Sequence, residues 1–385
     1  MIKRLVALVA VLMMTVCAAL AEAPGQEPAV TDIALELLGS SLHYPQLTGM
    51  ADAQVQSAAN QAIMEKGQIE QRINRMTALM AAPVKMQVSY THMLTGDVFS
   101  CAFLAQGAVE TTRTTQVWST VNLDLRTGEP IPLAALFTDE AAARAHIETL
   151  LTEEVAPEQS AHLAAGQLTP LPESFSLSRE GLTLHYPIES FRTLSDRAGT
   201  VTLLWTELRE HLDLKEGGIL HRLGVTDTIT LGENARADLT AALEKGGFPG
   251  IPAVIGQSVL ELTERHEQLT DNELCEAGRM FILEDGAFRK VYIITDALTD
   301  SWNESTVGII RADRLNLAGL CTGHTTMDAW RAMLGEPEAT VVTGPELADS
   351  WRIVPGVSDY YTLGNYRLRL HADEEGVLRS VFLMQ

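Results

Sequence analysis

Between Thr114 and Phe137 apolar and polar residues alternate. Val117, Ser119, Val121, Leu123 and Leu125 fall on one side, and Trp118, Thr120, Asn122 and Asp124 on the other. A period of two over this length predicts a half-buried β-strand that needs neighbours on both edges. Thr127-Gly128-Glu129-Pro130 stops it, because glycine permits a tight turn and proline cannot donate to a ladder.

The flanking segments read as what packs on that strand. Ile33–Leu38 is an apolar stretch, and Leu42-His43-Tyr44-Pro45-Gln46-Leu47 follows it, with Pro45 suggesting an edge position or strand end. From Asp52 to Met80 the period becomes helical: Val55, Ala59, Ala62 and Ile63, then Ile69, Ile73, Met76 and Met80, with Gly67 placed to divide the run into two helices. Val84–Tyr90 and Val98–Leu104 alternate around the turn Thr95-Gly96-Asp97, which makes the first strand the third member of an antiparallel meander. Thr138 is placed to cap a helix with Ala143, Ile147, Leu150 and Leu151 on one face. Phe175–Leu177 and Leu182–Tyr186 predict a hairpin, and Val201–Trp205 a further strand.

Lys215-Glu216-Gly217-Gly218 is the strongest break in the pattern and is taken as a domain edge. Beyond it Ala235–Lys245 reads as a helix, and Gly246-Gly247-Phe248-Pro249-Gly250 as an internal loop. Short strands then dominate: Met280–Leu283, Val291–Thr295, Thr306–Arg311, Thr340–Thr343, Tyr366–Leu370 and Val377–Leu383. They are interrupted by a helix capped by Thr325 or Thr326 and stopped by Gly335 before Pro337. The expected fold class is α+β in two domains, 22–218 and 219–385, each an antiparallel sheet with helices packed on one face.

The first 21 residues change the picture of where the chain goes. Lys3-Arg4, the mostly apolar run Leu5–Ala21 and the ending Ala19-Leu20-Ala21 form a secretory signal peptide pattern. A secreted, extracytoplasmic protein of the cell envelope is expected, with membrane contact only if the segment stays uncleaved. Loss of Lys3 and Arg4 takes the formal net charge from −22 to −24. Such acidity excludes nucleic acid and anionic lipid surfaces as partners and permits a cationic one.

Candidate chemistry is sparse. Cys101, Cys275 and Cys321 remain after cleavage, either as thiols or with Cys275 bridged to Cys321. Cys321-Thr322-Gly323-His324 places a thiol and an imidazole three residues apart, before a helix N-terminus expected to lower the thiol pKa. That is the alternative, enzymatic reading: a cell-wall-modifying hydrolase. The ten histidines form no H-x-x-x-H or H-E-x-x-H pattern, so no metal and no cofactor are expected. Tyr186, Glu189 and Phe191 follow a hairpin strand and combine aromatic rings with a carboxylate, which makes them the candidate surface for a cationic protein.

Residues of the first domain resemble a known family. The match runs through Tyr44-Pro45-Gln46-Leu47 with Asn60, and through Asn122-x-Asp124-Leu125-x-Thr127-Gly128 with Leu133-x-x-Leu136-Phe137. It continues through Phe175, Gly181-Leu182, Tyr186-Pro187, Glu189, Gly199 and Trp205-x-Glu207-Leu208. In this order and spacing they resemble the RsiV-like extracellular domain. That domain is the sensor region of lysozyme-binding anti-sigma factors, and it also precedes the catalytic domain in some peptidoglycan deacetylases. Departures at Ile188, Ser190-Phe191-Arg192 and Trp205 fall around the candidate surface. Gly323, Asp328 and Leu334-Gly335-x-Pro337 are similar to small modules of envelope lipoproteins and of β-lactamase-inhibitor-like proteins, which bind other proteins. The resemblances imply a non-enzymatic protein- or cell-wall-binding module, with lysozyme or peptidoglycan as partner.

Overall fold

The computed structural model describes residues 28–385 except 110–111, 153–167, 169, 180, 187–198, 226–230, 265–267, 276, 285–290 and 296–303. The expected signal segment therefore lies outside the described residues. Contacts divide the chain into two units that are discontinuous in sequence. The first holds the described residues of Met1–Ala145, Thr169–Glu189 and His211–Val225; the second holds those of His146–Leu168, Ser190–Glu210 and Thr226–Gln385.

The first unit is built on a six-stranded sheet in the order β1-β2-β3-β4-β5-β6. Its strands are β1 (Ala29–Leu37), β2 (Ser40–Thr48), β3 (Lys85–Thr95), β4 (Val98–Val109), β5 (Thr112–Asp124) and β6 (Glu129–Pro130). The alternating strand of the sequence is β5, paired on both sides. Its pairings are antiparallel, whereas β2 and β3 pair in parallel through Ser41↔Gln87 and Leu42↔Val88. A parallel pair needs a long crossover, and α1 (Ala53–Lys66) with α2 (Ile69–Ala78) supplies it. Gly67 does divide the two helices: a Cβ there would lie 2.6 Å from Ile63 O and 2.9 Å from the Phe103 ring. Asp52 caps α1 by accepting from the Gln54 and Val55 amides. Ile63, Ile69 and Met76 bury against Leu42, Leu47, Phe99, Phe103, Val121 and Leu123. Each such side chain contributes about 1.5–3 kcal/mol of transfer free energy.

Three further helix and hairpin elements complete the N-terminal part. The next helix, α3 (Glu140–Leu150), is capped by Asp139, which accepts from Ala141 and Ala142, and not by Thr138. A carboxylate one residue later in the chain meets the helix amides, while Thr138 Oγ1 bonds the His211 carbonyl instead. The predicted hairpin forms from β7 (Phe175–Leu177) and β8 (Gly181–His185). A one-turn helix, α4 (Ile219–Leu223), closes the unit.

The second unit carries an eight-stranded antiparallel sheet in the order β10-β11-β12-β13-β19-β18-β17-β16. The elements ahead of that sheet are β9 (Thr200–Leu204), α5 (Ala235–Ala242) and α6 (Val259–Glu264). Next in the chain are β10 (Gln268–Cys275), β11 (Gly278–Glu284), β12 (Val291–Thr295), β13 (Val307–Ala312) and the small pair β14 (Asn316–Leu317) and β15 (Leu320–Cys321). After these come α7 (Met327–Leu334), β16 (Ala339–Thr343), α8 (Pro345–Trp351), β17 (Gly356–Leu363), β18 (Tyr366–Asp373) and β19 (Leu378–Met384). Thr326 caps α7, and Gly335, at φ 84°, ends it.

This sheet is two copies of one plan. The Gly256 amide donates to Val307 O (2.8 Å), Val307 N–H to Gln257 O (2.9 Å) and Val259 N–H to Ser305 O (3.1 Å), tying the start of α6 to the start of β13. In the same way Gly323 donates to Leu378 O (2.7 Å), Leu378 N–H to Thr325 O (2.9 Å) and Met327 N–H to Gly376 O (2.8 Å), tying α7 to β19. Both glycines hold φ at 81°, a left-handed conformation that costs glycine nothing. β13 and β19 pair antiparallel at the centre of the sheet, so a local two-fold relates the four-stranded halves.

One face of the sheet packs under the helices, with Leu239, Leu262, Trp330, Ile293, Ile310, Tyr361, Leu370 and Leu383 in a single core. Trp351 of α8 packs on the opposite face, edge-on to Phe382 at 5.8 Å. Two buried arginines lie there. The Arg311 guanidinium stacks 3.5 Å over Tyr292, and that of Arg369 lies 4.4 Å from Phe382. Planar, weakly hydrated guanidinium groups tolerate such stacking where lysine would not.

Candidate functional site

The polar residues that carried the family resemblance turn out to hold the chain together. Asn60 clamps Leu47, accepting from its amide at 2.8 Å and donating to its carbonyl at 2.9 Å. Asn122 accepts from Ser100 Oγ at 2.7 Å and donates to Phe175 O at 2.8 Å, and Ser100 Oγ also accepts from the Leu177 amide. The polar side of β5 is therefore covered by β7, and Asn122 is buried. Asp124 receives both Arg222 nitrogens, at 2.9 and 2.6 Å, while Arg222 also reaches Asp97 at 2.6 Å. Burial alone would raise the Asp124 pKa, but the bonds from Arg222 and Arg126 outweigh it and hold it below the usual carboxylate range.

The candidate surface residues fall differently. Tyr186 directly follows β8 and is 3% exposed. Glu189 and Phe191 lie outside the described residues.

Cys321 ends β15 and has no exposed surface, whereas His324, three residues on, is exposed. The expected lowering of the thiol pKa is reversed. Burial pushes it up, and the charge of Glu207 adds to this, with the Thr206 hydroxyl acting the other way. The reason is local: Cys321 belongs to a strand, and its amide and carbonyl serve the turn that precedes α7, the amide accepted by Thr325 Oγ1 at 2.8 Å. A thiolate is the reactive form, so a buried thiol with a raised pKa is poorly suited to attack a bond. Cys101, Cys275 and Cys321 are all present as thiols. With 5,5′-dithiobis(2-nitrobenzoate) at pH 8, Cys321 of the native protein is expected to stay unmodified and to react once urea unfolds the second unit; rapid labelling of native Cys321, read by peptide mass, would refute the burial.

The second unit carries an open cleft of about 550 Å³. It is lined by Thr206 and Glu207 beyond β9, Asp313 and Arg314 beyond β13, Thr322 and Gly323 before α7, Arg352–Val354 beyond α8, and Arg379 and Ser380 in β19. Arg314 is fixed by Glu207 through a fork of 2.8 and 2.7 Å and an Nε bond of 3.0 Å. Glu207 is itself held by the Leu204 amide at 2.8 Å. Asp313 takes a two-pronged bond from Arg311 at 2.9 and 2.7 Å, and Arg379 is bonded to Asp373 at 2.6 Å. Three arginines against two carboxylates leave the lining cationic by one formal charge, in a chain of −22.

Arg352 has a further peculiarity. It stands where α8 ends, with φ 50° and ψ 45°, and Ile353 N–H reaches back to Ala348 O at 3.0 Å. This left-handed position at a helix end is the one that favours glycine, and a side chain there costs about 1 kcal/mol. Arginine occupies it and lines the cleft. Sequence reading missed this residue, since only the backbone angle sets it apart.

Among the described residues no group of three or more His, Cys, Asp or Glu is placed to hold a metal ion. No described helix is long and apolar enough to cross a membrane. The chain matches no family model, and no curated protein matches it either. Among solved structures it is similar to a DUF3298 family protein from Bacteroides fragilis, at TM-score 0.34 and 14% identity, covering 50% of this chain and 94% of the other. A DUF3298 family protein from Pseudomonas aeruginosa gives TM-score 0.34 and 10% identity over 50% and 96%. A DUF4309 family protein from Bacillus subtilis gives 0.26 and 13% over 40% and 97%.

Proposed function

We propose that this chain is an exported, non-enzymatic binding protein of the bacterial envelope, and that the arginine-lined cleft of its second unit takes a carboxylate-bearing fragment of the cell wall. The observation that carries this reading is Arg352. A residue kept in a conformation that destabilises the fold, at the rim of a cleft with two other guanidinium groups, is the pattern of a side chain retained for recognition. Guanidinium pairs well with carboxylate, and peptidoglycan stem peptides carry free carboxylates. The export signal in residues 1–21 supports the location. The net charge of −22 supports a second partner class, a cationic protein such as lysozyme, bound by long-range attraction and released by salt.

Isothermal titration with a disaccharide–tripeptide in its free-acid form is expected to give saturable binding, and the fully amidated form at least tenfold weaker binding. In Arg352→Gly the fold is expected to be as stable as wild type or slightly more so, with binding of the free acid at least fivefold weaker. Equal binding of the acid and the amide, or a wild-type affinity in Arg352→Gly, would overturn the reading.

A further inference from the structure

The two ends of the eight-stranded sheet are equivalent by the local two-fold, yet they are finished differently. At one end β10 pairs with β11 through a register shift between Thr270 and Glu273. Such a bulge disrupts an edge and is a common way of blunting it against another strand. At the other end β16 pairs with β17 in unbroken register over five residues, Ala339↔Tyr360 to Thr343↔Gly356. No described strand pairs with its far side. It also lacks the other safeguards: no lysine, no proline within it, no bulge. Val341 is 39% exposed and Val342 75%, so apolar side chains stand open on both sides of the strand. The surroundings are acidic. Glu336 and Glu338 are exposed just before β16, and Glu346 and Asp349 just after it. Glu338 is already tied to the Thr362 amide and hydroxyl at 2.8 and 2.9 Å, which leaves the other three open.

We infer that β16 is an acceptor edge for an extended segment of a basic partner polypeptide, which adds as a ninth strand with its apolar residues against Val341 and Val342 and its lysines or arginines against Glu336, Glu346 and Asp349. Main-chain bonding supplies the affinity in this mode of recognition, and alternate side chains the selectivity. The same carboxylates oppose a second copy of this chain at the edge, since pairing β16 with itself brings like charges together.

The test uses the whole chain and a fluorescein-labelled peptide, Lys-Val-Thr-Val-Thr-Lys, with Glu-Val-Thr-Val-Thr-Glu as its acidic counterpart. Fluorescence anisotropy is expected to show binding of the basic peptide at least tenfold tighter than the acidic one, weakening as salt is raised. Hydrogen exchange at residues 339–343 is expected to slow on saturation, while residues 268–275 keep their rates. Val342→Lys on the exposed edge is expected to weaken binding at least tenfold with an unchanged urea midpoint, and Leu274→Lys at the opposite edge to leave it as in wild type. Equal affinity for the two peptides would overturn the inference, as would protection appearing at β10 in place of β16. A dimer in light scattering that dissociates in Val342→Lys would also overturn it, assigning the edge to a second copy.

Discussion

Replacing Asp359 by alanine is expected to destabilise the second unit by about 2–4 kcal/mol. This carboxylate, on the helix side of β17, has no exposed surface. It accepts from Trp330 Nε1 at 3.0 Å, from Arg331 at 2.7 and 2.8 Å and from Thr340 Oγ1 at 2.7 Å. Those bonds pin α7 and β16 to the same point of the sheet. Truncation leaves the wholly buried Trp330 indole N–H without its acceptor, which costs about its desolvation penalty of 1–3 kcal/mol. It also unpairs Arg331, whose side chain is 34% exposed and can turn to water. Burial alone would raise the Asp359 pKa, but the bonds from Arg331, Thr340 and Trp330 prevail and hold it low. Its contribution is therefore complete above the unfolded carboxylate pKa and disappears as pH falls through the folded one. Urea unfolding of the second unit, followed by tryptophan fluorescence, should show the midpoint shift, with a melting temperature lower by on the order of 10 °C. The double variant Asp359→Leu/Trp330→Phe should recover part of the loss, because it removes the orphaned indole N–H along with its acceptor. A loss below about 1 kcal/mol in Asp359→Ala would contradict this account of what locks α7 to the sheet.

Stability of the second unit is also expected to fall between pH 6.5 and about 4, before most carboxylates titrate. His371 is wholly buried in β18. Its Nε2 donates to Val354 O at 2.8 Å, and its Nδ1 accepts from Ser358 Oγ, 2.9 Å away, which in turn accepts from Arg369 Nε. Neutral imidazole completes that chain, and imidazolium breaks it beside two guanidinium groups. Burial, opposed by the Val354 bond and reinforced by Arg369 and Arg311, lowers the His371 pKa to about 4. In the unfolded chain the ring takes its proton near pH 6.5, while the native site refuses it until about pH 4. The unfolded state thus binds more protons across this window, and stability drops as pH falls, at a slope approaching about 1.4 kcal/mol per pH unit. In the first unit His185, lowered to about 3 by burial, acts with the same sign. Urea midpoints between pH 7 and 4 should trace the decline, and His371→Gln should flatten it for the second unit. A wild-type profile without slope above pH 4.5 would show that His371 already carries its proton in the folded state.

The parts of this fold that were legible in the sequence are the local ones. The alternation at Val117–Leu125 found β5, Gly67 found the break between α1 and α2, and Thr326 with Gly335 bracketed α7, because each depends on neighbours in the chain. Long-range polar pairing was not legible. Asn122 reads as the solvent side of a strand, since alternation tells which side chains share a face but not that β7 covers the polar one. Asp359 stands in an ordinary polar–aromatic run, and nothing nearby announces the tryptophan and arginine that converge on it from 29 and 28 residues away. The repeat within the second unit escaped because only a glycine and a small hydroxylated residue before each helix persist, while the equivalence lies in backbone bonds. The cleft draws on five separate segments, and Arg352 stands out only through its backbone angle.

The central claim, that this molecule holds wall material without cutting it, is tested most directly by incubating the full chain with fluorescently labelled insoluble peptidoglycan, then measuring protein in the pellet and label in the supernatant together. The account predicts retention in the pellet that falls at least fivefold in Arg352→Gly, with no release of label above the protein-free control. Label released by wild type and lost in Cys321→Ala would contradict it.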